Sequence, residues 1–166
     1  MGVHGLMYKI FITLLIVISL SGCGIYIYDI SNFTIPNEIQ FLECIAKLDT
    51  VPLIAQYMED NFTFKLRLYN YLSPYDMWTI EEGDCNDYSV FGVFVARQHG
   101  IEAYQVLVYY ENVTYTHVNA VYKVGDYWAL TDCWVYHGIF QSIQDAIMWH
   151  SIYSGRVLKS FKVLEN

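Results

Sequence analysis

The hydrophobic period of this chain changes from helical to strand-like at Gly100, and that change constrains the fold more than any other feature. Before it, apolar residues recur at helical spacing: Ile39, Leu42 and Ile45 in one segment, then Leu53, Ile54, Tyr57 and Met58 in a second. Thr50 with Pro52 shortly after marks the start of the second helix. Ser73-Pro74-Tyr75-Asp76 has the S-x-x-D spacing of a capping box with proline at the first helical position, which predicts a short helix. The helix after Gly83-Asp84 is the most legible, because Val90, Phe91, Val93, Phe94 and Val95 give it a broad apolar face and Gly100 ends it. Beyond Gly100 the segments 103–110 and 114–124 are rich in valine and tyrosine, as strands are. Gly125-Asp126 separates the second of these from 127–132, a hairpin signal. A short helix over 142–149 and a last strand over 156–164 complete the pattern. Helices first and an antiparallel sheet second is an α+β arrangement.

That order brings three chemically capable residues within reach of one another. Cys85 falls in the first turn of its helix, where unpaired N–H groups and the positive end of the helix dipole favour a thiolate. The same N–H groups suit the negative oxygen that develops when a carbonyl is attacked. A lone cysteine is more commonly a buried packing residue, so the position needs a partner to carry weight. His117 supplies one. If Gly125-Asp126 is a two-residue turn, Val124 faces Tyr127 and Asn119 faces Asp132. His117 and Asp132 are then diagonal neighbours on one face, about 7–8 Å apart at the backbone and within side-chain reach. A three-residue loop would instead send Asp132 to the other face. A carboxylate so placed fixes the tautomer of the imidazole and stabilises the imidazolium formed when histidine takes the thiol proton.

These residues carry a family resemblance. Gly83-Asp84-Cys85-Asn86-Asp87-Tyr88 resembles the nucleophile motif of the transglutaminase-like superfamily. Thr116-His117-Val118-Asn119-Ala120-Val121 and Gly125-Asp126-Tyr127-Trp128-Ala129-Leu130-Thr131-Asp132 resemble its histidine and aspartate blocks, in the same order and with separations of 32 and 15 residues. Gly100-Ile101-Glu102-Ala103 resembles its helix-to-strand joint, so the likeness runs over 73–136. It implies a papain-like α+β core, with the cysteine helix packed on an antiparallel sheet that bears the histidine and aspartate. It implies Cys85, His117 and Asp132 as catalytic residues, a protein or peptide substrate, and thioester chemistry that releases an amine and passes the acyl group to water or to another amine. No metal or other cofactor is needed for that chemistry. A second oxyanion donor would come from a side chain upstream of the cysteine, with Trp78 and Gln56 as the two candidates. His137 and His150 read as surface or packing residues, Asp84 and Asp87 as helix N-terminal charges, and Cys133 as structural. The alternative is an extracytoplasmic binding or scaffold lipoprotein that keeps the fold without catalysis.

The N-terminus is of another kind. An apolar run over 10–20 follows Lys9, the layout of an export signal. It leads into Leu20-Ser21-Gly22-Cys23, which resembles the lipobox of prokaryotic lipoproteins, where the cysteine is acylated and becomes the first mature residue. The other reading is an uncleaved transmembrane anchor over 10–28, long enough to span a bilayer. Either places the folded part outside the cytoplasm and anchors it to a membrane, with 1–22 as signal, 23–36 as tether and 37–166 as the domain. Loss of 1–22 takes Lys9 with it, leaving eight basic against 17 acidic residues and a net charge of −9. So acidic a domain, without a basic patch, argues against nucleic-acid binding. Sixteen tyrosines and nine phenylalanines give it ample apolar mass. Besides Cys23, three cysteines remain, an odd number that leaves at least one thiol free. A Cys44–Cys133 bridge would leave Cys85 alone, but the sequence does not establish it. No CxxC or histidine-rich spacing suggests structural zinc. Three Asn-x-Thr sequons, at Asn32, Asn61 and Asn112, are coincidental in a prokaryotic lipoprotein.

Overall fold

A computed structural model describes residues 33–67 and 71–165. The expected signal, the lipobox cysteine, the alternative membrane anchor and most of the tether lie outside the described residues. Within them, no helix is long and apolar enough to cross a membrane.

The helical half comprises α1 (Ile39–Ala46), α2 (Val51–Asn61), α3 (Pro74–Ile80) and α4 (Cys85–Gln98). Thr50 does precede α2, but its hydroxyl makes no capping bond; Pro52 alone shapes that start. Ser73 closes the expected capping box on Asp76, with Pro74 in the first turn. The α4 start has a second reciprocal box that the sequence pattern did not announce. Asp84 accepts from the N–H groups of Asn86 and Asp87, while the Asp87 carboxylate accepts from the Asp84 N–H at 3.0 Å. A two-stranded parallel bridge, β1 (Thr63–Phe64) with β2 (Glu82–Gly83), holds the chain entering α4. Gly83 is required there, because a Cβ would lie 2.7 Å from the Asp87 Cβ and 3.2 Å from the Met77 Cε. At the other end Gly100 adopts φ +71 and completes a Schellman motif, with Gly100 N–H bonded to Arg97 O and Ile101 N–H to Ala96 O, both at 3.0 Å.

The second half is a five-stranded antiparallel sheet in the order β6-β5-β4-β3-β7, formed by β3 (Ala103–Tyr110), β4 (His117–Val124), β5 (Tyr127–Asp132), β6 (Val135–Phe140) and β7 (Leu158–Leu164). Helix α5 (Ile143–Tyr153) joins β6 to β7, capped by Ser142 through the Asp145 N–H. The β4–β5 register is the expected one, Val124 against Tyr127 through to Ala120 against Thr131. Strand β6 was not anticipated. It returns through Cys133-Trp134, a turn in which Cys133 takes φ +52 without the glycine or asparagine that would advertise it. The α5 helix is also longer than expected and continues past His150.

The sheet is covered on both faces. Helix α4, buried continuously from Asn86 to Ala96, packs with α1–α3 against Ala103, Ala120, Tyr122 and Ala129. Gly92 brings α4 so close that a Cβ there would collide with the Tyr122 hydroxyl. The opposite face, Val106, Val108, Tyr110, Val121 and Leu130, receives Ala146 and Ile147 of α5. The α+β class and the papain-like, transglutaminase-like layout expected from the sequence are both present.

Candidate active site

The site lies at the end of the sheet where β3 finishes and β4 begins, and its parts arrive from opposite faces. Cys85, the first residue of α4, packs against Leu107, Tyr109 and Val118 on the α4 face. Its helix turn is tied to the sheet from below, since Gln105 of β3 donates to Ser89 Oγ at 2.7 Å and to Asn86 Oδ1 at 3.3 Å. His117, paired with Val108, stems from the other face.

His117 Nε2 donates to Asp132 Oδ1 at 2.7 Å. Cys85 lies near the same imidazole, where its charge adds to the effect of Asp132. Burial pulls the His117 pKa down, but hydrogen bonds and charge from Asp132 and Cys85 outweigh it and push the value up to about 9. His117 is therefore an imidazolium at neutral pH. Burial would raise the Asp132 carboxyl, yet the bonds from His117 and His150 hold it well below the usual carboxylate range. The structure thus ties His117 to Asp132 by a hydrogen bond and sets Cys85 beside them.

His150, expected at the surface or in packing, is not at the surface. It is 1% exposed, and its Nε2 donates to the second Asp132 oxygen, Oδ2, at 2.9 Å. Its Nδ1 shares a hydrogen bond of 3.0 Å with the Tyr110 hydroxyl. The signal was available: Ala146, Ile147, His150 and Ser151 form the buried stripe of α5. A histidine on such a stripe must find polar partners. His137 does pack, against Trp149 and Tyr153 with ring centroids 5.1 and 5.0 Å away, and burial lowers its pKa.

Of the upstream oxyanion candidates, Gln56 donates to Asp60 at 2.9 Å on an exposed stretch of α2. Trp78 packs in an aromatic cluster with Phe41 and Tyr75, ring centroids 5.4 and 5.9 Å away. Asp84 and Asp87 act as helix N-terminal groups. Asp87 accepts from the Leu72 and Asp84 N–H groups at 2.9 and 3.0 Å and faces Arg67 Nε at 3.7 Å; burial nevertheless pushes its pKa up to about 6. Cys44, Cys85 and Cys133 are all free thiols. Burial and the neighbouring Asp132 carboxylate push the Cys133 thiol up, which keeps it protonated beside the site.

Ligand atoms of His117, Asp132 and His150 lie within 4.8 Å of one another, a donor set of the kind that binds divalent ions. Here each imidazole Nε2 already donates to its own carboxylate oxygen. An ion would have to displace both protons and draw the three groups together.

The sequence profile of the transglutaminase-like superfamily matches residues 42–151. That match covers most of the chain and all three site residues, and the protein belongs to this superfamily. Comparison with curated proteins finds no match. Among solved structures, the chain is similar to one described as a "Putative Cysteine Protease" from Cytophaga hutchinsonii, with 16% identity and a TM-score of 0.45. The similarity covers 84% of this chain and 55% of that one, so this chain spans about half the length of that protein.

Proposed function

We propose that this protein is an exported, membrane-anchored cysteine acyl-transfer enzyme acting on peptide-like amides. The observation that carries the reading is the His117 imidazole, held at 2.7 Å by Asp132 and set beside Cys85. In this mechanism His117 holds the proton taken from the Cys85 thiol, the thiolate attacks the amide carbon, and the C–N bond breaks as His117 gives that proton to the departing amine. The thioester that remains is attacked by water or by a second amine, whose proton returns to His117 as the Cys85 sulfur leaves. Asp132 keeps its charge throughout and orients the ring. Asp84 occupies the N–H groups of Asn86 and Asp87, so the helix donor for the oxyanion is the Cys85 N–H itself. Export and anchoring through a lipid on Cys23 belong to the same proposal and rest on the sequence of the first 23 residues.

Iodoacetamide alkylation of the full chain across pH, with the modified site mapped by mass spectrometry, tests the catalytic part. Selective labelling of Cys85 at pH 6 that slows in His117→Ala supports an activated thiolate. Labelling only above the ordinary thiol pKa of about 8.5, indifferent to His117, sinks it and favours a binding or scaffold module. Incorporation of labelled palmitate, lost in Cys23→Ser, tests the anchor.

A further inference from the structure

We infer that His150 is a positioning residue of this site, a second imidazole that fixes the plane of the Asp132 carboxylate through the oxygen His117 leaves free. The inference rests on the proposed reading of Cys85, His117 and Asp132 as the reacting set. A carboxylate held through one oxygen still turns about its terminal torsion, which is broad and roughly two-fold. Asp132 needs more restraint than most, because it is the last residue of β5, is 28% exposed, and precedes a turn residue in the left-handed region. His150 gives that restraint by taking Oδ2 at 2.9 Å while His117 takes Oδ1 at 2.7 Å.

The ring that does this is itself immobilised on every side. Tyr110 of β3, 2% exposed, holds Nδ1 at 3.0 Å, and the Arg156 guanidinium lies 5.2 Å over the tyrosine ring. The His117 ring stacks on the His150 ring at 5.6 Å and 8°, and His137 of β6 meets it at 5.9 Å and 61°. The titratable and charged groups around His150 are therefore Tyr110, His117, Asp132 and His137, with Arg156 behind Tyr110. A line of hydrogen bonds runs from Tyr110 through His150 and Asp132 to His117, with Cys85 beside its end. Strands β3, β4 and β5 and helix α5 each supply one member, and α4 supplies Cys85. His150 touches neither the thiol nor a substrate in this scheme; it acts through Asp132.

The test is the pH profile of Cys85 alkylation by iodoacetamide in the full chain, with the thermal midpoint recorded for each variant. His150→Phe keeps a ring of similar size but removes the donor to Asp132. It should slow labelling at pH 6 about tenfold, the scale of losing one hydrogen bond to a charged group, and move the half-maximal rate up by about one pH unit. His150→Gln places an amide N–H near the position of Nε2 and should recover most of the rate at an unchanged midpoint. A role in packing alone predicts the reverse ranking, with phenylalanine the better substitute. A folded His150→Phe with the wild-type profile overturns the inference. Should that variant fail to fold, Tyr110→Phe decides: a profile shifted the same way supports the role, and an unchanged one overturns it. If the wild-type protein itself shows no labelling of Cys85 below pH 8, the reading of the site fails and this inference with it. An activated wild-type thiol that ignores His150 overturns the inference alone.

Discussion

The two faces of the sheet are covered in different ways. On one, α4 is buried through eleven consecutive positions and backed by three further helices, with Phe91 ringed by Phe62 and Tyr57 at 4.9 and 6.0 Å. On the other, α5 buries only Ala146, Ile147, His150 and Ser151, and turns Met148, Ile152 and Tyr153 outward. A helix apolar all round belongs inside a core, whereas a single stripe serves a surface cover. The first face holds the domain together and delivers Cys85. The second is thin, yet it delivers the imidazole that grips Asp132. Stability and site geometry are thus weighted to opposite sides of one sheet.

Truncation at matched positions sharpens that contrast most. Phe91→Ala should cost about 3–5 kcal/mol and Ile147→Ala about 2–3 kcal/mol, since both are fully buried but the α5 side can relax towards solvent. Urea denaturation of both variants checks this, and equal losses would break the asymmetry.

Titration separates the faces next, because each carries a carboxylate shifted in its own direction. Asp132 is held below the usual value, so its contribution is present above pH 3.8 and is lost as pH falls through its lowered folded value. His117, raised to about 9, contributes stability that is full below 6.5 and is lost as pH rises through 9. Their pair therefore favours the fold across the neutral range and weakens at both ends. Asp87, raised from 3.8 to about 6 by burial, behaves oppositely to Asp132. Its contribution is full below 3.8 and disappears as pH rises through 6, by about 3 kcal/mol at most. Chemical denaturation from pH 4 to 10 should show Asp132→Asn flattening the alkaline fall and Asp87→Asn removing the loss between 4 and 6. A wild-type alkaline limb that survives Asp132→Asn would place the His117 shift elsewhere.

The same asymmetry explains what the sequence made legible. The α4 side announces itself through broad apolar periodicity, a proline-led capping box and Gly100. The Gly125-Asp126 turn was enough to set the register that puts His117 diagonal to Asp132. Strand β6 stayed hidden because a cysteine occupies the left-handed position of its turn, and a cysteine gives no turn signal. The bridge between β1 and β2 is two residues per strand, too short to show a period. His150 is not legible because the sequence pattern ends α5 at Trp149, four residues short of Tyr153, which cuts the histidine from the stripe that buries it. The choice between Trp78 and Gln56 as oxyanion donor is not legible for a different reason: a donor is useful only where it is free and aimed, and proximity in sequence shows neither.

The smallest effect is expected on the outside of α5. Ile152 is 80% exposed, on the helix that covers the thinner face. If that face is only a one-stripe cover, Ile152→Ser removes almost no buried area and should change stability by less than about 0.5 kcal/mol, the range of substitutions away from packed or bonded features. It should also leave the pH profile of Cys85 labelling untouched, because the buried stripe carrying His150 lies on the other side of the helix. A loss well above 1 kcal/mol by thermal or urea melting would mean that Ile152 is covered in solution. The α5 face would then be thicker than one stripe, and the division of labour between the two faces would have to be redrawn.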